Sequence, residues 1–384
     1  MKPSTFALAV VALLAPSACA AQRPQGPAAH DAPAPPAKAA VVLEEFATGL
    51  EFPWGLAFLP DGRALVTERA GRLRFVDPQG KVSAPIGGVP AVFDEGQGGL
   101  LGLAIDPDFA SNGLIYFAFA EPDPKDARLA GTALARARLD GDRLTDVDIL
   151  FRQTPKLNSG LHFGGRVVVA KDGTLFLTTG ERYRRDRAQE LTGHLGKVIR
   201  ITREGGAPPD NPFVGRNDAR PEIWSYGHRN LQGAALHPET GALWTHEHGA
   251  QGGDEINIPQ AGKNYGWPII TYGIDYSGLP IGEGAAKDGL AQPLYYWNPS
   301  IAPSGMAFYD GAAIPQWQGD LLVGSLKFGF VERLDLDGDK VIGSERLFEA
   351  EIQDRVRDVV IGPDGWVYVL TDNPDGRILR IRPR

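Results

Sequence analysis

The sequence predicts an all-β fold, a six-bladed β-propeller built from four-stranded antiparallel blades. An apolar strand followed by a turn rich in Asp, Pro and Gly recurs along the chain, and a second apolar strand follows each copy. A hairpin of this kind cannot bury its apolar face alone, whereas a ring of hairpins does so without leaving a long free edge. The copies lie at 55–62, 102–113, 166–173, 233–241, 305–311 and 358–365.

The turn chemistry accounts for the hairpins. Asp and Asn side chains bond to their own backbone, and Gly adopts positive φ, so a sequence such as LPDG at 59–62 reverses the chain. A third strand often follows, as at 73–77 and 378–383. The chain supplies only three strands after residue 357, so the strand at 41–46 is predicted to complete the last blade and close the ring.

The beginning of the chain predicts export. An apolar run at 6–14 is followed by small residues, which is the layout of a signal peptide over 1–21 and is too short to span a bilayer. Cys19 is the single cysteine, so a lipid anchor at Cys19 is the alternative to plain cleavage, although Pro16 disfavours it. We therefore expect an exported, periplasmic protein.

The amino-acid composition distinguishes two regions in the remainder of the chain. Residues 22–40 are rich in Pro and Ala and are predicted to form a flexible spacer, whereas 41–384 are predicted to form one propeller domain. The formal net charge is -8, which argues against a nucleic-acid partner. No segment predicts a transmembrane helix.

Polar residues are concentrated at 224–268, where His, Arg, Asn, Asp and Glu lie between strand-like runs. In a propeller, the ends of second strands and the loops between blades converge on one mouth of the central channel. Polar motifs that are far apart in sequence can therefore meet there. We expect a functional site at this mouth.

Several motifs along the chain carry a family resemblance. They are GQGGLLGLAIDPDF, LHFGGR, TTGERYRRDRAQELTGHLGKVIRI, SYGHRN, GGDEIN, KNYGWP, SIAPSGM and RVRDV. With these motifs, the chain from about residue 46 to 381 resembles the soluble glucose/sorbosone dehydrogenase family, and within it the periplasmic aldose sugar dehydrogenases that use pyrroloquinoline quinone. Such enzymes oxidise a small-molecule aldose and pass the electrons to an external acceptor.

The resemblance implies a role for individual residues. His162 matches the general base that takes the proton of the anomeric hydroxyl, and Glu181 matches the carboxylate that orients it. The quinone bears three carboxylates, for which Lys and Arg supply charge-assisted hydrogen bonds. The positions that match cofactor contacts are Gln97, Arg229, Asn230, Lys327, Arg355 and Arg357, of which Arg229 is also expected to act at the reacting centre.

The resemblance also implies Ca²⁺. The backbone carbonyls of Gly249 and Ala250 match ligands of a Ca²⁺ bound to the cofactor, where the ion acts as a Lewis acid. Glu255 and Asp254, with the Tyr265 carbonyl, match a further Ca²⁺ site. The structural alternative for Asp254 and Glu255 is that they cap a turn. For one of Arg355 and Arg357, the alternative is a structural role on a solvated strand face.

Three positions depart from the family pattern. Glu181 stands where glucose-oxidising relatives have Asp, His248 replaces Gln, and Ala250 replaces Pro. The loops between blades also look short, which predicts an open and weakly selective sugar site. Trp267 is expected to lie close enough to the mouth to contact a sugar, and His246 is expected to be structural.

Two other function classes fit the same fold. A propeller can be a non-catalytic platform that binds a carbohydrate or a protein. It can also be a Ca²⁺-dependent lactonase, which needs several side-chain ligands on one central metal. Nicotinamide use is disfavoured because no G-x-G-x-x-G follows a strand into a helix. The preferred sugar, the electron acceptor, the number of Ca²⁺ sites and the oligomeric state are open from the sequence.

Overall fold

Twenty-four β-strands form six four-stranded antiparallel sheets in residues 31–384, the part of the chain that the computed structural model describes. The predicted six-bladed propeller is therefore confirmed. The strands are β1 (Val41–Leu50), β2 (Pro53–Phe58), β3 (Ala64–Glu68), β4 (Arg72–Val76), β5 (Val82–Pro85), β6 (Leu100–Ile105), β7 (Leu114–Pro122), β8 (Ala130–Asp140), β9 (Arg143–Arg152), β10 (Gly164–Val169), β11 (Leu175–Thr179), β12 (Lys197–Ile201), β13 (Ile223–Tyr226), β14 (Leu231–Leu236), β15 (Leu243–Glu247), β16 (Asp254–Asn257), β17 (Tyr295–Trp297), β18 (Pro303–Phe308), β19 (Leu321–Ser325), β20 (Val331–Asp337), β21 (Lys340–Leu347), β22 (Val356–Ile361), β23 (Val367–Thr371) and β24 (Gly376–Pro383).

Consecutive strands pair in each of the first five blades, which are β2 to β5, β6 to β9, β10 to β13, β14 to β17 and β18 to β21. The sixth blade has the order β1-β24-β23-β22. Its outer strand β1 pairs antiparallel with β24, with Val41 opposite Pro383 and Leu43 opposite Ile381. The predicted closure is confirmed, and it joins the two ends of the ring by backbone hydrogen bonds.

The hairpin turns form as their residue types predict. Between β2 and β3, Asp61 Oδ1 accepts the backbone N–H of Arg63 at 3.0 Å, and Gly62 has a φ of 86°. Asp172 and Asp364 accept the backbone N–H two residues further on in the same way. These local bonds satisfy backbone groups that a bare turn would leave unpaired, and they fix the register of each hairpin.

Apolar side chains pack between neighbouring blades rather than in one central core. Trp244 of the fourth blade contacts Phe308 of the fifth with ring centroids 5.2 Å apart, and Phe58 of the first contacts Tyr368 of the sixth at 4.8 Å. Full burial of such a side chain stabilises the fold by about 1.5–3 kcal/mol. The ring is therefore held together by its inter-blade contacts.

One buried ion pair crosses the central channel. Arg166 on β10 and Asp358 on β22 belong to opposite blades, and their charged groups are 2.8 Å apart. The Arg166 guanidinium also donates to the Gln232 carbonyl at 2.7 Å and lies 4.2 Å from the ring of Trp54. These side chains therefore meet at the axis of the ring, between opposite blades.

The described part of the predicted spacer contacts the propeller. The Pro33 carbonyl accepts the backbone N–H of Ser344, and the Ala37 carbonyl accepts the Arg333 guanidinium at 2.7 Å. Composition gave no indication of these contacts. The predicted signal peptide and Cys19 lie outside the described residues, and the domain boundaries stay predictions. In residues 31–384, no helix is long and apolar enough to cross a membrane.

Helices are short in this part of the chain: α1 (Phe109–Asn112), α2 (Glu349–Ile352) and two 3₁₀ turns at Arg185–Gln189 and Pro315–Trp317. The connections between blades vary in length, from 227–230 between β13 and β14 to 86–99 between β5 and β6. A long excursion at 258–294 lies within the fourth blade, between β16 and β17. It returns to the mouth, where Ile274 pairs with Gln251.

Candidate active site at one mouth of the propeller

The predicted site residues lie at one edge of the ring. The first strand of every blade begins at this edge and the second strand ends at it, because the two strands are antiparallel. His162, Asn230 and Arg355 precede the first strands β10, β14 and β22. Glu181 and Lys327 follow the second strands β11 and β19. The topology therefore gathers these dispersed motifs around one opening.

His162 and Glu181 form a buried pair at the mouth. His162 Nδ1 lies 2.9 Å from Glu181 Oε1, and the second carboxylate oxygen accepts the backbone N–H of Arg184 at 2.7 Å. The backbone N–H of His162 donates to Gln97 Oε1 at 2.8 Å. His162 has a φ of 52°, which is uncommon for a residue other than Gly and typical of a functionally constrained position.

The surroundings of His162 favour a neutral imidazole. Burial lowers its pKa from the usual value of 6.5, and the Arg229 and Arg182 guanidinium groups lower it further, whereas the hydrogen bond that the Glu181 carboxylate accepts raises it. Because the carboxylate accepts a hydrogen bond at Nδ1, the proton of the neutral ring resides there. Nε2 makes no hydrogen bond to any described residue and keeps its lone pair. This is the arrangement of a general base.

Arg229 is a buried cation that forms no ion pair with any carboxylate of the described residues. Its guanidinium donates to the His248 carbonyl at 3.2 Å and lies 5.3 Å from the ring of Trp267, while its buried Nε has no partner among residues 31–384. The carboxylate of Glu247 instead accepts the backbone N–H of Arg229 at 2.5 Å and contacts His228 Nδ1 at 2.8 Å. Arg229 is therefore held in place with its charge available to a ligand.

Trp267 does not offer an open face at the mouth. It is only 7% exposed and lies under the Arg229 guanidinium. A buried ring in this position can support Arg229 but cannot provide a free surface for a sugar. The expected sugar contact of Trp267 is thus not favoured by its position. His246 is fully buried, as expected for a structural residue.

A chain of polar contacts joins Asn230 to Arg357. Asn230 Oδ1 accepts the Gly164 N–H at 3.3 Å and the Gln232 side-chain amide at 3.2 Å. Gln232 Oε1 in turn accepts the Arg357 guanidinium at 3.1 Å. Two of the residues predicted to contact the cofactor are therefore coupled through Gln232, a residue that the sequence did not single out.

Arg355 and Arg357 share one carboxylate. Asp372 accepts a hydrogen bond from Arg357 at 2.8 Å and from Arg355 at 3.2 Å. Burial raises the pKa of Asp372, but the two guanidinium groups outweigh burial and hold it at about 2. Arg357 is buried, whereas the Arg355 side chain is 55% exposed. Asp372 therefore offsets part of the positive charge of this pair.

Lys327 stands apart from the other predicted cofactor contacts. It is exposed, its ammonium lies 4.8 Å from the ring centre of Phe328, and it makes no ion pair with any described carboxylate. Gln97 is also exposed. Of the residues predicted to contact the cofactor, Lys327 and Arg229 therefore have no acidic partner in the described part of the chain, although the whole chain has a net charge of -8.

The loop predicted to bind Ca²⁺ is organised by Asp254. Asp254 is fully buried, and its carboxylate accepts the backbone N–H groups of Gly249 at 2.8 Å, Ile301 at 2.8 Å and Ala302 at 2.9 Å, with the Ser300 hydroxyl at 2.7 Å. These bonds tie the 249–250 turn to the start of the fifth blade. They favour the structural alternative for Asp254.

Glu255 and Glu247 border a small cavity of about 10 Å³, which is the size of one water or one ion. Tyr265, which stacks on His228 at 4.7 Å, lines the same cavity. Burial and the charge of Glu247 raise the pKa of Glu255 well above its usual value. Residues 31–384 contain no cluster of three or more His, Cys, Asp or Glu that could hold a metal, so an ion here would also need backbone or ligand oxygens.

Three supporting residues near the second-strand ends, Arg182, Glu247 and Asp372, were assigned no individual role from the sequence. Each holds a predicted residue in place, and Arg182 does so by donating to the carbonyls of Leu161 and Ser159, just before the base. Glu247 ends a second strand, Asp372 directly follows one, and Arg182 lies in the loop just after one. The polar residues at those positions in every blade would have been the signal to find them.

Comparisons with known proteins agree with the predicted family. A family model described as Glucose / Sorbosone dehydrogenase matches residues 50–380. Aldose sugar dehydrogenase YliI of Escherichia coli K12 is 48% identical over 353 residues, which cover 91% of this chain and 94% of the relative.

Two solved structures extend the comparison. The soluble aldose sugar dehydrogenase of Escherichia coli, in its apo-form, matches with a TM-score of 0.87 at 47% identity, covering 90% of this chain and 100% of the other. The pyrroloquinoline-quinone-bound form of an aldose sugar dehydrogenase from Streptomyces coelicolor matches with a TM-score of 0.76 at 32% identity, covering 91% and 99%.

Proposed function

The chain belongs to the glucose/sorbosone dehydrogenase family, and from this premise we propose that it is a quinoprotein oxidoreductase that oxidises the anomeric carbon of aldoses to lactones. The cofactor is pyrroloquinoline quinone, assisted by Ca²⁺. The observation that carries the proposal is the buried pair of His162 and Glu181, with the free Nε2 of the imidazole beside the unpaired charge of Arg229.

The residues at the mouth fit a cofactor with three carboxylates. Arg229 has a buried Nε without a partner in the described chain, and Lys327 has no acidic partner there. A buried cation without a counter-charge is costly, so an anionic ligand would stabilise it. We propose that Gln97, Arg229, Asn230, Lys327, Arg355 and Arg357 hold the quinone.

His162 performs the proton transfer in this proposal. Its Nε2 accepts the proton of the anomeric hydroxyl while the C1–H bond breaks and its electron pair leaves as hydride, so that C1 becomes the lactone carbonyl carbon. Glu181 keeps the Nδ1–H hydrogen bond and stabilises the imidazolium that forms. When bound, pyrroloquinoline quinone supplies the acceptor for the hydride.

Ca²⁺ would bind in two places. The carbonyls of Gly249 and Ala250 would hold an ion together with oxygens of the cofactor, as a Lewis acid. Glu255, with the Tyr265 carbonyl, would hold a second ion at the small cavity that Glu247 also borders. We leave Asp254 out of this second set, because its carboxylate already accepts hydrogen bonds from two loops.

Neither alternative function has comparable support. A binding platform has no need of a buried imidazole with a paired carboxylate and a free ring nitrogen. A propeller lactonase requires side-chain ligands around a metal at the central axis, whereas the Arg166 and Asp358 ion pair lies at the axis here. We therefore propose the dehydrogenase alone.

The test is reconstitution of the purified protein with pyrroloquinoline quinone and Ca²⁺, followed by dye reduction with a panel of aldoses. Some connections at the mouth are short, such as 227–230, and a short connection provides few buried partners for individual hydroxyls. We expect kcat/KM values for aldohexoses, aldopentoses and maltose-like disaccharides within about two orders of magnitude of one another. Absence of quinone-dependent dye reduction with every aldose would overturn the proposal.

A further inference from the structure

We propose that Tyr183 is a substrate-contacting residue, an aromatic wall against which the aldose ring packs while its anomeric hydroxyl faces His162. The inference rests on the proposed function and names a specificity-determining residue for it. Trp267, the aromatic residue expected to contact the sugar, is buried under Arg229, so another side chain must supply an apolar surface beside the base.

Tyr183 lies directly beside His162. The two rings meet edge to face, with centroids 5.6 Å apart and an interplanar angle of 69°. A molecule that presents a hydroxyl to the imidazole would therefore lie within contact distance of the Tyr183 ring. No other aromatic ring in the described chain has a ring contact with His162.

Tyr183 is also exposed to a degree that its neighbours do not explain. It is 54% exposed, and its hydroxyl makes no hydrogen bond to any described residue. A large aromatic side chain usually buries its ring or gives its polar atom a partner. The exposed face is next to the base, so a ligand at the mouth is the natural partner for it.

The backbone holds this exposed position in place. Arg182 and Tyr183 have φ values of 57° and 60°, a left-handed conformation that bulky side chains rarely adopt. Such strain persists only where the surroundings impose it. Here Arg182 imposes it, because its fully buried guanidinium donates to the Leu161 and Ala130 carbonyls at 2.8 Å and packs 3.5 Å from the ring of Phe163.

Because Arg182 is anchored in this way, the ring of Tyr183 has a fixed direction. The loop turns inward at Arg182 and outward at Tyr183, while Glu181, one residue before the anchor, holds the base. The base, its carboxylate and the exposed ring are therefore parts of one rigid unit. Pyranose rings present C–H groups on their faces, which pack on aromatic rings, and their hydroxyls remain free for polar contacts.

Tyr276 provides a matched control. It is an equally large and even more exposed tyrosine, at 64%, on the excursion at 258–294. An ion pair of 3.6 Å between Arg185 and Asp275 connects its loop to the loop of Tyr183. The two rings are thus on neighbouring loops, but only that of Tyr183 contacts the base.

The experiment uses the full protein reconstituted with pyrroloquinoline quinone and Ca²⁺, as wild type and as Tyr183→Phe, Tyr183→Ala, Tyr183→Asn and Tyr276→Ala. Asn is included because it tolerates left-handed φ while removing the ring. Steady-state kinetics with glucose would be combined with calorimetric binding of 1,5-anhydroglucitol, which lacks the anomeric hydroxyl and cannot be oxidised there.

We expect Tyr183→Ala and Tyr183→Asn to raise both KM and the Kd for the anhydro sugar about tenfold, with kcat within about threefold of wild type. Tyr183→Phe and Tyr276→Ala should stay within about twofold in all three values, because packing needs the ring and not the hydroxyl. Unchanged KM and Kd in both ring-less variants would overturn the inference, as would a loss confined to kcat. Inactive wild type would instead refute the proposed function.

Discussion

The carboxylate of Glu181 lies 2.9 Å from Nδ1 of His162, and both side chains are buried at the channel mouth. This contact fixes the tautomer of the imidazole and leaves Nε2 as the acceptor for a substrate proton. It also opposes the effect of burial, which lowers the His162 pKa. Glu181 therefore influences both the orientation of the base and the pH at which it works.

Replacement of Glu181 by Gln separates these effects. Gln retains the shape but removes the charge that raises the pKa of His162, so the pKa should fall further below 6.5. The base is active when neutral, hence the acid limb of the pH profile of kcat/KM should move to lower pH. Because an amide can also donate to Nδ1 and select the wrong tautomer, kcat should fall about tenfold to a hundredfold. A limb that moves to higher pH would contradict this reading.

The small cavity bordered by Glu247 and Glu255 predicts that Ca²⁺ changes the stability of the protein. Without the ion, Glu255→Gln should raise the Tm, because a buried carboxylate beside Glu247 is removed. With Ca²⁺, wild type should gain stability, by about 2.7 kcal/mol at a hundredfold excess over Kd, and the variant should gain less. Thermal unfolding with EDTA and with Ca²⁺ measures both effects, with the exposed Glu239→Gln as the control. Equal Ca²⁺ responses in wild type and Glu255→Gln would remove Glu255 from the site.

His194 predicts a loss of stability in acid. Its Nδ1 accepts the backbone N–H of Thr154 at 2.9 Å, and burial lowers its pKa below 6.5. Between that lowered pKa and 6.5 the unfolded chain binds more protons than the native one, so stability falls as pH falls through this window. In His194→Asn, whose side-chain oxygen can still accept from Thr154, the slope should be shallower by up to about 1.4 kcal/mol per pH unit. Urea unfolding from pH 8 to pH 5 tests this, and an equal slope in both proteins would speak against it.

The sequence was sufficient to predict the architecture, because each blade contains its own pattern of an apolar strand, a polar turn and a second strand. Asp61, Asp172 and Asp364 each form the turn bond that residue type predicts. These interactions are local, so their pattern can be read without knowledge of the fold. The ring closure could also be predicted, since three strands after residue 357 require a fourth.

The details of the site could not be predicted in the same way. The pairing of Asp372 with Arg355 and Arg357, and the burial of Trp267, depend on side-chain directions across loops that are distant in sequence. Arg182 illustrates the same limit, because a charged residue in a loop usually faces water. Here the backbone carbonyls of Leu161, in a loop, and of Ala130, at the start of β8, satisfy it inside the protein.

The central claim is that His162 is the base, and turnover of a His162→Asn variant tests it most directly. Asn tolerates the left-handed φ of 52° and removes the imidazole. Reconstituted with pyrroloquinoline quinone and Ca²⁺, the variant should bind the quinone as wild type does, while kcat with aldoses falls about 10²-fold or more. A variant that binds the quinone and turns over aldoses at near wild-type rates would contradict the account.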